Sequence, residues 1–115
     1  MKTLDRILGG LLLLGGCGHT AGTLIGYAHK PELELWSLCA SCFVFLLAAV
    51  NLLRAGRPGD KALGAIALGF NVLWMPSVVW FGMQIGNLLD PRVVGFLVIS
   101  AGLCGMSVRT MRAGA

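Results

Sequence analysis

Charge is almost missing from the long apolar runs of this chain. The runs are Ile7–Ala28, Leu33–Leu53, Ala62–Leu89 and Val93–Val108, and apart from Glu34 at the edge of the second they hold no Asp, Glu, Lys or Arg. Charged residues make up 12% of the sequence, about half the share of an ordinary soluble domain. That scarcity excludes a conventional solvated surface. The polar joints, residues 29–32, 54–61 and 90–92, are too short to hold a separate extramembrane domain, and none contains cysteine. No paired carboxylates and no nucleophile–base set are present, so the sequence shows no complete catalytic constellation.

What the chain does have is apolar length. Hydrophobic residues make up 57% of its 115 residues, and the mean hydropathy is +0.82. A hydrocarbon core of about 30 Å needs about 20 helical residues, so the first three runs can each span it. The fourth does so if Pro91 and Arg92 sit at the headgroups. The expected fold is therefore an all-α integral membrane protein, one compact antiparallel bundle of four transmembrane helices in a single domain over residues 1–115.

A net charge of +4 would suggest a nucleic-acid partner in a soluble protein, but here the charges sort by side. Lys2, Arg6, Arg54, Arg57, Lys61, Arg109 and Arg112 fall at one end of the runs, while Lys30 and Arg92 fall at the other with Glu32, Glu34 and Asp90. Positive residues concentrate on the cytoplasmic side of membrane proteins, so a multi-pass protein of the inner membrane is expected, both termini cytoplasmic. Its expected partners are the lipid bilayer, further copies of itself or a larger membrane complex, and no nucleic acid. The basic joint at 54–61 is also placed to meet anionic lipid, at about 1 kcal/mol per basic residue.

The N-terminus resembles a bacterial lipoprotein signal, with basic residues, an apolar run and Leu14-Gly15-Gly16-Cys17. Asp5 is unusual in such a leader, and apolarity continues through Thr20–Tyr27, so a retained first helix is expected. Gly56, Pro58 and Gly59 separate the second helix from the third. Asp5-Arg6-Ile7-Leu8-Gly9 is echoed by Asp60-Lys61-Ala62-Leu63-Gly64, and Pro31 by Pro91. The echo suggests two hairpins related by an axis along the membrane normal.

Small residues recur at helical spacing: Gly18, Gly22 and Gly26 in the first run, Gly82 and Gly86 in the third, Ala101 and Gly105 in the fourth. Helices in lipid associate through close van der Waals contact, so these positions predict packing faces, either inside the bundle or along a homo-oligomer seam on the first helix.

Counting about 1.5 Å per residue places Cys17, His19, Cys42, Asn71 and Cys104 in one layer near the bilayer midplane. Polar groups there are costly and are expected to face inward. A His19–Asn71 hydrogen bond is possible if the first and third helices are neighbours. Cys39 and Cys42 have the spacing of redox pairs and metal sites but lie inside a helix, away from the N-terminal dipole that lowers a thiol pKa. Pro76 predicts a kink in the third helix beside Asn71 and Trp74, freeing the carbonyl of Val72. The candidate ligand-binding residues are thus His19, Asn71, Trp74, Cys17, Cys42 and Cys104.

Length and helix number resemble the small multidrug transporters, which use a membrane-embedded glutamate in the first helix; here none follows Asp5. Quinone-linked disulfide enzymes of the vitamin K epoxide reductase type need a second cysteine pair in a loop, absent here. The leading expectation is a small membrane protein without enzymatic activity of its own, acting as an accessory or scaffold subunit or as a homo-oligomer, with no cofactor or metal. The alternatives are a binder or transporter of a small apolar molecule near His19, Asn71 and Trp74, and a redox protein with haem or metal at His19 beside the midplane cysteines.

Overall fold

A computed structural model describes residues 1–113 as four helices: α1 Lys2–Gly26, α2 Pro31–Ala55, α3 Lys61–Gln84 and α4 Pro91–Ala113. Each is long and apolar enough to cross a membrane, with mean hydropathy between 1.4 and 2.1 over its best window. The bundle is 51 Å long, which exceeds the hydrocarbon thickness and leaves the ends at headgroup level. Its surface is what a lipid solvent requires. Ile25, Leu46, Leu73, Trp80 and Val98 are all more than 60% exposed, whereas Asn51, Arg54, Asn71, Ser100 and Ser107 are fully buried. In water such apolar exposure would mark an aggregation-prone face; in a bilayer it is the lipid boundary.

The helix ends follow local chemistry more than hydropathy. Pro31 and Pro91 occupy the first position of α2 and α4, where a missing N–H costs nothing. The Asp60 side chain caps α3 by accepting from Leu63 N–H at 2.9 Å. The third run does not stay helical to Leu89. Gly86 takes a positive φ of 71°, Gly86 N–H bonds to the Met83 carbonyl and Asn87 N–H to the Gly82 carbonyl, a Schellman closure that ends α3 at Gln84. Conversely, α1 begins at Lys2 and α4 continues to Ala113, so Asp5, Arg6 and Arg109 are helical. Pro76 does not end α3.

α1 packs mainly on α2 and α3 on α4, giving two hairpins; α1 and α3 make no contact among the described residues. Between the hairpins, α1 meets α4, α2 meets α3, and α2 also reaches α4 across the bundle. The echoed glycines do equivalent jobs. A Cβ on Gly9 of α1 would lie 2.7 Å from Leu52 of α2, and one on Gly64 of α3 would lie 2.7 Å from Met111 of α4. Their neighbouring acids differ, since Asp5 is buried and Asp60 is a helix cap.

For contacts inside the bundle, the predicted packing positions need correction. A Cβ at Gly18, Gly22, Gly26 or Gly105 would meet nothing within 4 Å, Ala101 is exposed, and Gly86 serves the α3 terminus. Of that set only Gly82 packs within the bundle, against Leu88 and Val93; the other close approaches occur at Gly9, Gly15, Gly16, Gly64 and Gly102. Four-residue spacing identifies a face, but not the direction in which it turns.

Candidate functional site

The densest chemistry lies at the end of the bundle that carries both termini. α2 stops at Ala55, level with Asp5 of α1 and Thr110 of α4, while those helices run three residues further, to Lys2 and Ala113. Their extra turns enclose Arg54, which is fully buried although it sits one residue from a helix end. Its Nη1 donates to Asp5 Oδ2 and to Thr110 Oγ1, each at 2.9 Å, and Nη2 donates to Asp5 Oδ1 and, at 3.4 Å, to Asn51 Oδ1. The fork of the guanidinium therefore meets the carboxylate through two parallel bonds, the strong arrangement for such a pair.

From Arg54 the network continues toward the middle of the bundle. Asn51 and Asn71 exchange amide bonds: Asn71 Nδ2 donates to Asn51 Oδ1 at 3.0 Å and Asn51 Nδ2 to Asn71 Oδ1 at 3.3 Å. Each amide also donates to the carbonyl four residues back, Leu47 for Asn51 and Ala67 for Asn71. Asp5, Arg54 with Asn51, Asn71 and Thr110 thus join all four helices through one chain of hydrogen bonds. Its chemistry is that of a lock: donors and acceptors consume one another, and only Arg54 Nε is left without a partner.

Four of those five residues were missed from sequence. Arg54 reads as part of the basic joint, Asp5 as an oddity before the first run, and Asn51 and Thr110 as unremarkable members of or neighbours to apolar runs. The available signal was the three-residue spacing of Asn51 and Arg54, which puts two hydrogen-bonding groups on one face of α2 near its end.

The predicted layer separates into different environments. His19 Nε2 lies 3.1 Å from the Ser37 carbonyl oxygen and 3.2 Å from Ser37 Oγ, and Ser37 Oγ lies 2.6 Å from Thr23 Oγ1, so His19 is tied to α2 within its own hairpin. The suggested His19–Asn71 bond does not form, because α1 and α3 sit diagonally across the bundle and Asn71 lies nearer the termini, where it turns to Asn51. Cys17 and Cys42 are exposed on the apolar surface and Cys104 is half-buried; all are free thiols, as is exposed Cys39. Counting along each helix misses the level as well as the azimuth: His19 bonds at Ser37 and Asn71 at Asn51, about 21 Å apart along α2, and cysteine is apolar enough to face lipid. Among the described residues, no three of His, Cys, Asp and Glu come together as metal ligands.

Trp74 stands apart in an aromatic cluster. Its ring stacks on Phe43 at 5.6 Å and meets Phe96 edge-on at 5.8 Å, while its Nε1 has no acceptor. Pro76 lines an open apolar cleft of about 960 Å³ on the outside of α3 and α4, with Val79, Trp80 and Val98. At the opposite end of the bundle from the termini, Arg92 binds Asp90 through Nε and Nη2, both at 2.9 Å, and lies 5.4 Å from the Phe81 ring centroid. The side-chain bond from Arg92, with its backbone N–H, holds the Asp90 carboxyl down to about 2.

Compared with protein families, with curated proteins and with solved structures, the chain matches none.

Proposed function

We propose that this small polytopic membrane protein has no chemistry of its own and acts as a structural subunit of a membrane assembly, associating with further copies through the outer face of α1. One observation carries the proposal: Gly18, Gly22 and Gly26 form an exposed stripe on which added Cβ atoms would touch nothing. The chain packs its own helices at other glycines, so this stripe is surplus to the bundle. Cys17, Ala21 and Ile25 form the adjoining exposed ridge. A glycine stripe beside such a ridge lets a second backbone approach closely enough for van der Waals contact to drive association.

The interior supports the same reading. The groups with catalytic or proton-carrying potential, His19, Asp5 and Arg54, are engaged by neighbours within the chain. The burial of Arg54 against Asp5 changes the charge tally without reversing it. Lys2, Arg6, Arg57, Lys61, Arg109 and Arg112 still outnumber Lys30 and Arg92, which favours an inner-membrane protein with both termini cytoplasmic.

Oxidative cross-linking tests the seam. With Cys39, Cys42 and Cys104 replaced by Ser, Cys17 remains as the sole thiol. Copper–phenanthroline treatment of membranes is expected to yield a covalent dimer through Cys17 that disappears when Gly22 is replaced by Leu. A chain that stays monomeric under conditions that cross-link a known dimer would refute the self-association.

A further inference from the structure

The same end of the bundle holds a small pocket that the lock leaves unfilled. About 60 Å³ in volume, it is lined by Lys2, Asp5, Arg54, Pro58, Arg109 and Thr110 among others. Three of these are cations and one is an anion, and both oxygens of that anion already accept from Arg54. Arg54 is fully buried, lines the pocket, and keeps one N–H, at Nε, without any acceptor. An unpaired N–H on a buried charged group is unfavourable, so an acceptor that reaches Arg54 Nε from the pocket is stabilising. The first turn of α1, which begins at Lys2, has no side-chain cap, and its free N–H groups and dipole add further positive potential.

The pocket also sits at the level where a phosphate is found. α1 has 25 residues, about 37 Å of helix against a hydrocarbon core of about 30 Å, so Lys2 and Asp5 fall at the boundary with the headgroups. Each water needs about 10–15 Å³ of such space, so the volume is that of a few waters, a size suited to one tetrahedral oxyanion and not to a larger ligand.

We propose that this pocket binds a phosphate oxyanion, carried by an anionic lipid headgroup or free in solution, between Arg54 Nε, Lys2 and Arg109. Water alone would satisfy Arg54 Nε but would leave the excess positive charge uncompensated; a phosphate does both through charge-assisted bonds. The site is independent of the α1 seam, which lies on the exposed face of that helix.

The full chain in nanodiscs of mixed phosphatidylcholine and phosphatidylglycerol, examined by native mass spectrometry, is expected to retain one phosphatidylglycerol per chain if the headgroup is the source. Inorganic phosphate titrated into phosphatidylcholine-only nanodiscs, at ionic strength matched with chloride, is expected to raise the melting temperature if the free ion is the source. Two double variants remove equal charge from the same end at exposed positions. Lys2→Gln with Arg109→Gln strips the pocket and is expected to weaken whichever binding is seen about tenfold; Arg6→Gln with Arg112→Gln is expected to leave it intact. Binding in neither arm overturns the site. Equal behaviour of the two variants, whether both bind or both fail, overturns it as well, because binding would then be general surface charge or would not involve these residues.

Discussion

Arg54 owes its burial to a single carboxylate. Removing one member of a buried ion pair leaves the other charge uncompensated, at about 3–5 kcal/mol, whereas replacing both by apolar residues is often neutral. Asp5→Leu alone is therefore expected to lower stability by about that amount in a denaturant titration in detergent, and Asp5→Leu with Arg54→Met to recover most of it. A double variant no more stable than the single one would show that the pair is not the connection that matters. Trp74 offers the opposite case. Its ring is held by Phe43 and Phe96 while its N–H is unpaired. Trp74→Phe should thus cost little, and Trp74→Ala about 3–5 kcal/mol in the same titration. The side-chain bond from Arg92 holds the Asp90 carboxyl, outside the membrane, down to about 2 from its ordinary 3.8. Because folding depresses this acid, its stabilising contribution is complete above 3.8 and fades as the pH falls from there through about 2. A carboxyl NMR titration of Asp90 should show that low midpoint, and Arg92→Gln should move it upward.

At the scale of the helix, glycine positions divide into those that touch a neighbour and those that do not. A Cβ on Gly64 would lie 2.7 Å from Met111 and 3.2 Å from the Ser107 carbonyl oxygen, while one on Gly69 of the same helix would meet nothing. Gly64→Val is expected to push α3 from α4 and cost about 1–3 kcal/mol of overpacking; Gly69→Val is expected to leave the melting temperature nearly unchanged. Equal melting temperatures for the two would mean that α3 and α4 are not this close. The existence and order of the helices were legible in the sequence because an uninterrupted apolar run is a direct physical requirement of the hydrocarbon core. Their ends were less so: Gly86 closes α3 five residues before the run ends, and Asp5 and Arg109 are helical although charged. Hydropathy measures preference for lipid, while helix ends depend on local hydrogen bonding.

For the molecule as a whole, polar residues hold the four helices in register and apolar ones meet the solvent. Asn71 was legible as a buried group in need of a partner, but the partner was not, since it depends on which helices are neighbours. His19 and Asn71 stand on diagonal helices and about 21 Å apart in depth, so His19 turns to Ser37 and Asn71 to Asn51. One face of α1 stays uncovered, and it is there that we propose the chain associates with further copies. The most direct test is the mass of the assembly formed by Gly18→Leu with Gly22→Leu, measured by native mass spectrometry from nanodiscs beside the unaltered chain. The unaltered chain is expected to be an oligomer and the variant a folded monomer. An unaltered chain that is already monomeric, or a variant whose oligomer is undiminished, would contradict it.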